Sequence, residues 1–257
     1  MIVKAINKKP DFQSLATDSG FFPALLESQS NNPQTGRYSI LMAAPLKEQF
    51  AFDLAGLKKL LKSIDQIPQA KSSELPFEFG WMVYLAYECA AVFEEKLADQ
   101  LPKLFDEPLA VAIYCQGAVV HDHIDSKTYI TAEDEQTWSA IASQVNRAEV
   151  QVDSLSVQFA CEEEAAEPFK AYVKQAKEYI VSGDIYQANL TFRATARYAG
   201  HPLALYAAIR ERAKAGYGGV VFDGQNWMLS FSPELFFAMK DDRITAKPMT
   251  GTAVRAT

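Results

Sequence analysis

A chain of 257 residues, 49% of them apolar and 22% charged, has the make-up of a folded globular protein with enough apolar side chains for one large core or two modest ones. Its formal net charge of -7, with Lys8-Lys9 as the longest basic cluster, argues against nucleic acid or an anionic membrane as partner, because both call for clustered Lys and Arg. No uninterrupted apolar stretch is long enough for a membrane span and no signal peptide is evident. Cys89, Cys115 and Cys161 are odd in number and widely spaced, so a reducing cytoplasm with three free thiols is expected.

From Phe21 to about Ile130 the pattern predicts mostly strands with two helices. Leu54, Leu57, Leu60, Leu61 and Ile64 recur at helical spacing. Residues 79–85 read as a buried segment rich in aromatics. Leu109 to Val120 predicts a strand, with Lys127 to Ala132 as its hairpin partner, and a helix follows over 135–146. The acidic run Glu162-Glu163-Glu164 lies in a polar stretch. We therefore expect an amino-terminal α/β domain over 1–150, a connector over 151–167 and a further segment over 168–257.

Pro168 suits the first turn of a helix whose apolar stripe is Phe169, Tyr172, Val173, Ala176 and Ile180. Gly183 stands where a helix end requires positive φ. The following residues predict a strand with Tyr186, Ala188, Leu190 and Phe192 on one face and Gln187, Asn189, Thr191 and Arg193 on the other. His201-Pro202 opens another helix, with Leu205, Ala208 and Ile209 inward. Residues 227–231 and 235–239 then predict strands, and Asp241-Asp242 turns the chain into a returning arm over 243–247.

Among residues that could carry chemistry, Glu234 stands between Pro233 and the apolar run 235–239. Burial there would disfavour its charged form, as a general acid at neutral pH requires; the alternative is a glutamate pointing to water. Thr250-Gly251-Thr252 after a strand could offer backbone N–H groups and a hydroxyl to an anion, or be a plain turn. His121-Asp122-His123 puts two imidazoles on one side of a strand. No third ligand lies nearby, so solvent-facing histidines are the expected outcome and no metal site is assigned.

Taken in order, Gly183-Asp184-Ile185-Tyr186-Gln187-Ala188-Asn189-Leu190, Ser232-Pro233-Glu234 and Pro248-Met249-Thr250-Gly251-Thr252 resemble the chorismate-utilising enzymes. These are the first components of anthranilate synthase and aminodeoxychorismate synthase, with the isochorismate and salicylate synthases. Leu25-Leu26-Glu27-Ser28 with Gly36-Arg37-Tyr38-Ser39 is similar to the family's amino-terminal region. The stretch from Leu75-Pro76-Phe77 through Gly80-Trp81 to Tyr84-Leu85-Ala86-Tyr87-Glu88 looks like aminodeoxychorismate synthase in particular.

The resemblance implies an α+β fold: part of an α/β sandwich with interleaved sheets, incomplete here, with 168–257 forming the first part of a chorismate-binding domain whose carboxy-terminal half is absent. It implies Glu234 as general acid on the departing C4 hydroxyl of chorismate, with Gln187, Gly251 and Thr252 against the substrate. Water-adding members carry a lysine base at the Gln187 position, so glutamine resembles the members that take ammonia from a glutamine amidotransferase subunit. Ammonia is already a nucleophile and needs no such base. Glu27, Ser28 and Tyr38 would line a remnant of the family's effector pocket. Mg2+ is implied for the complete enzyme, with ligands that lie outside this chain.

Thr250 departs from the family, because many aminodeoxychorismate synthases carry there a lysine that attacks C2 of the substrate. Ala215-Gly216-Tyr217-Gly218 departs too, where amine-adding relatives show an Asn-Pro-x-Pro-Tyr type of sequence. The expectation is a cytoplasmic enzyme forming 4-amino-4-deoxychorismate in folate synthesis, with the 257 residues inactive by themselves. Two alternatives stand beside it: anthranilate synthase component I, and a non-catalytic chain that binds a ligand or scaffolds an amidotransferase.

Overall fold

The computed structural model describes residues 1–28, 36–64, 73–97, 107–147, 156–158, 166–191, 196–240 and 242–247. They fall into two compact units. The first takes the chain up to Val152 and again from Tyr206 onward; the second lies between Asp153 and Leu205.

In the first unit, β1 (Ile2–Ile6) is followed by the short helix α1 (Phe12–Leu15), opened by Asp11, whose carboxylate accepts from the backbone N–H of Gln13 and Ser14 at 3.0 and 3.3 Å. Then come β2 (Ala24–Glu27), β3 (Tyr38–Ala51), α2 (Leu54–Ile64), β4 (Gly80–Leu85), α3 (Ala90–Phe93), β5 (Ala110–Asp122), β6 (Lys127–Ala132) and α4 (Glu135–Val145). The expected helices at 54–64 and 135–146 and the 109–132 hairpin therefore form. Leu57 and Leu60 are the buried positions of α2, as its spacing requires, and Asp134 caps α4 through the N–H of Thr137 at 2.7 Å.

The second unit holds β7 (Ser156–Gln158), α5 (Ala166–Ser182) and β8 (Arg197–Ala199), with β7 and β8 paired antiparallel. The helix α6 (Pro202–Ala213) carries the division between the units. The strands β9 (Tyr217–Phe222), β10 (Trp227–Ser232), β11 (Leu235–Lys240) and β12 (Arg243–Lys247) belong to the first.

The core is an eight-stranded antiparallel sheet of order β1-β6-β5-β3-β2-β9-β10, with β4 also on β5. Strand β5 is apolar on both faces and buried on both. Helix α4 lies over one face and Leu75 and Phe77 pack on the other, against Ala118 and Val120. A Cβ at Gly117 would run into the carbonyl of Thr131 and the tip of Ile141, so only glycine lets α4 and β6 close on β5 at that point. Strand β3 bends but stays on β5 along its length, while the other edge of β5 passes from β4 at 110–115 to β6 at 117–122. Ala44 adopts φ +55 with its N–H held by the Phe21 carbonyl at 2.9 Å, and the register with β5 slips between Pro45 and Lys47.

Several expectations change. No strand forms over 185–191, because no described strand offers it a ladder. β4 is only part-buried: Gly80 and Met82 face the core while Val83 and Leu85 are exposed. The inner face of α6 runs through Leu203 and Tyr206 rather than Ala208, which is exposed, because the Tyr206 ring stacks on Phe231 at 5.1 Å. β1 has no counterpart in the sequence reading; its five residues alternate too briefly to declare an edge strand.

Candidate active site

Ser232-Pro233-Glu234 makes the link from β10 to β11. The Ser232 hydroxyl accepts from the Glu234 N–H at 3.2 Å and donates to the Glu234 carbonyl at 3.0 Å, so the serine shapes the turn that presents the glutamate. Glu234 itself is exposed, and so are Phe236, Phe237 and Met239 after it. Of the two readings offered for it, the described residues match the glutamate that points to water and supply no burial among apolar neighbours.

Gln187 lies in the second unit, in the irregular stretch that leaves α5. Gly183 ends that helix with φ +85, and the N–H of Asp184 reaches back to the Tyr179 carbonyl at 2.9 Å. The Ser182 hydroxyl bridges the Tyr179 carbonyl at 3.1 Å and the Asp184 carboxylate at 2.5 Å. The Gly-Asp pair is thus a helix terminator, and Gln187 beyond it is exposed. Thr250, Gly251 and Thr252 lie outside the described residues.

The expected effector-pocket residues are divided by the sheet. Leu25 pairs with Leu41 and Leu26 with Ile40, so Glu27 shares a face with Leu25 and Leu41, while Tyr38 belongs to the opposite face with Ile40. Ser28, next along, is half-buried. Glu27 is 7% exposed, within 3.2 Å of the Arg210 Nε, with the fully buried Tyr206 hydroxyl close by but not in an aligned hydrogen bond. Burial pushes the Glu27 carboxyl up from its ordinary range, and the Arg210 guanidinium acts against that rise. Gly218 lets the three groups meet, because a Cβ there would stand 3.0 Å from the Tyr206 oxygen and 3.1 Å from the Glu27 carbonyl. Sequence reasoning missed Tyr206 and Arg210. Their spacing of one helical turn is a weak signal by itself.

His121 and His123 do share a side of β5, as expected, with ring centroids 4.7 Å apart in an edge-to-face contact. They do not both face solvent. His121 is buried, 2.9 Å from the Thr128 hydroxyl, and His123 is half-buried, 2.8 Å from the Ser39 hydroxyl. Burial holds the His121 imidazole down to about 4, with the Lys9 ammonium and His123 adding to the fall. Between them Asp122 lies on the other face, bonded by Arg37 at 2.8 and 3.0 Å.

Residues 24–257 match the family described as chorismate binding enzyme. The chain belongs to that family. Among curated relatives it is 24% identical to a 2-amino-4-deoxychorismate synthase of Streptomyces globisporus, over 78% of this chain and 43% of that one. It is 27% identical to an anthranilate synthase component 1 of Saccharolobus solfataricus, over 72% of this chain and 42% of that one. The solved anthranilate synthase component I of Streptococcus pneumoniae TIGR4 superimposes with a TM-score of 0.58 at 20% identity, over 81% of this chain and 53% of that one. The mixed α/β fold of this family member is therefore of the anthranilate synthase component I kind. The chain spans about half the length of these relatives.

Among the described residues no group of three or more His, Cys, Asp or Glu side chains is placed to hold a metal ion, so they do not fit an Mg2+ site. Cys89 and Cys115 are free and buried; Cys161 lies outside the described residues. No described helix is long and apolar enough to cross a membrane.

Proposed function

We propose that the complete protein aminates chorismate with ammonia delivered by a glutamine amidotransferase subunit. The observation that carries this reading is glutamine rather than lysine at 187, inside the stretch 183–190 that resembles the family most specifically. A carboxamide cannot take a proton from water as a base must, whereas ammonia attacks without one. In the proposed reaction the nitrogen lone pair forms a bond to a ring carbon and the bond from C4 to its hydroxyl oxygen breaks. Glu234 protonates that hydroxyl, which leaves as water. Mg2+, held by residues beyond those described, would supply charge neutralisation at a substrate carboxylate.

The product we propose is 4-amino-4-deoxychorismate, as in folate synthesis in the cytoplasm, supported by the likeness of residues 75–88 to aminodeoxychorismate synthase. A second reading, amination at C2, has its own support. Thr250 carries no amine to attack C2 first, and the two curated relatives above are an anthranilate synthase and a 2-amino-4-deoxychorismate synthase. Incubating the complete protein with chorismate, ammonium and Mg2+ and separating the product isomers by chromatography decides between them. Glu234→Gln is expected to cut turnover by at least about a hundredfold with the fold intact; undiminished turnover removes Glu234 from the acid role. The 257 residues alone are expected to leave chorismate unconsumed.

A further inference from the structure

Helix α4 packs chiefly on β6 and β5, and the margin of the sheet at β1 is left less covered. A cavity of about 390 Å3 occupies that margin, walled on one side by residues 5–8 and 10 as the chain leaves β1. Lys4 pairs with Ile130 across β1 and β6, so Lys4, Ile6 and Ile130 share the face under α4. The floor is apolar. Ile130 is fully buried, and Ile6, Ala142 and Val145 are half-buried around it. The rim is polar and exposed, with Asn7 and Lys8 from the segment after β1 and Asn146 from the end of α4. The volume lies within the range of small-molecule sites, about 300–1,000 Å3, and an apolar floor with a few polar groups at the mouth is their ordinary composition.

Trp138 forms a further wall and is held in place. The Lys4 ammonium stands 4.4 Å from the centre of the indole ring and 2.7 Å from the Glu135 carboxylate, so a cation–π contact fixes the ring before any ligand arrives. The same ion pair engages Glu135, the one carboxylate of α4. Among the described lining residues Lys8 is the one charged group and none is acidic. A smaller hollow of about 110 Å3 adjoins the cavity, with Pro10 and Val145 lining both; in it Asp11 and Asp18 outnumber Arg147. In a chain of net charge -7, a cavity that offers a lysine and two carboxamides without a carboxylate selects for an anion.

We propose that this cavity binds a small organic anion, a flat apolar body carrying one carboxylate. The body lies on Ile130 and Val145 against the Trp138 ring, where aromatic pairs gain more than their buried area alone provides. The carboxylate meets Lys8 at the mouth, and the carboxamides of Asn7 and Asn146 supply N–H donors beside it. The cavity is separate from the candidate active site. Six strand-to-strand steps lie between β1 and β10, the strand that leads to Glu234, which is about 29 Å along the sheet. The inference goes beyond the proposed function and does not depend on it.

Benzoate is the probe, with benzamide as a neutral counterpart of nearly the same shape. Each is titrated into the complete protein carrying isotopically labelled tryptophan, and the indole N–H signal of Trp138, assigned through Trp138→Phe, is followed. Benzoate is expected to shift that signal saturably, with a Kd of about 1 mM or tighter. Benzamide should bind about tenfold more weakly, and Lys8→Gln, an exposed change that leaves the fold intact, should weaken benzoate by about the same factor. Ala142→Leu fills the cavity from a half-buried helical position and should abolish the shift. Glu234→Gln should leave benzoate binding at Trp138 as it was, so this site and the amination chemistry can fail separately. A Trp138 signal that stays in place up to about 20 mM benzoate overturns the proposal. So does equal binding of benzoate and benzamide, or benzoate binding that Lys8→Gln leaves unchanged.

Discussion

Strands β5 and β11 are built from similar residues and meet opposite fates. β5 carries Val111, Ile113, Val119 and Val120, and all of them are buried by two layers of neighbours. β11 carries Leu235, Phe236, Phe237 and Met239, and the last three stand in water. Intrinsic strand preference is the same in both. The difference lies wholly in what the rest of the chain provides, which shows that an apolar strand sequence specifies a requirement for cover and not the cover itself.

Truncating one buried and one open side chain separates the two strands most clearly. Leu41→Ala on β3, fully buried against β2 and β5, is expected to cost about 3 kcal/mol. Phe236→Ala in the same 257-residue chain should change stability by less than about 0.5 kcal/mol. Urea unfolding of the two variants measures both, and a large loss for Phe236→Ala would mean that the hairpin is packed within this chain. Gly117→Ala comes next, at about 2 kcal/mol, because the added methyl meets the Thr131 backbone and Ile141 at the centre of the sheet.

A pH-dependent effect concerns the polar end of β5. His121 is held down to about 4 and His123 is also lowered, so between pH 6.5 and about 4 the unfolded chain binds protons that the folded one refuses. Stability should therefore be level above pH 6.5 on this account and fall as the pH drops to about 4, with little further loss below. Glu27, raised by burial, works in the opposite direction over its own titration. His121→Gln, which can keep a bond to Thr128, should flatten the His-dependent fall in thermal melts taken across that range. An unchanged slope would place the acid sensitivity elsewhere.

Local signals carried most of the first unit. The spacing of Leu54 to Ile64 and the run from Leu109 to Ala132 led directly to α2, β5 and β6, because each is decided by periodicity within a dozen residues. Gly183 announced the end of α5 for the same reason. What failed was decided at a distance. Residues 185–191 alternate like a strand, yet no described strand pairs with them. Phe236 would share a face with Ala238 under strict alternation, and one bulge moves it to the other. His121 was expected at the surface because no third ligand accompanies it and His123, but it sits on a central strand and is buried. At the candidate site the motifs were legible and their surroundings were not. Glu27 and Arg210 are far apart in sequence, and only the pairing of β2 with β9 and the stacking of Tyr206 on Phe231 bring them within 3.2 Å.

That pairing of β2 with β9 also sets an order of events. Glu27 lies opposite Gly218, about 190 residues later, while β5 and β6 meet across a tight hairpin. Loop closure over such a span is entropically costly and slow compared with hairpin formation. During synthesis the outer edge of β2 therefore emerges early and has no legitimate partner until β9 is made. In that interval a strand from another chain can take its place, so misfolding in this protein should begin at β2 and be suppressed by whatever occupies that edge first.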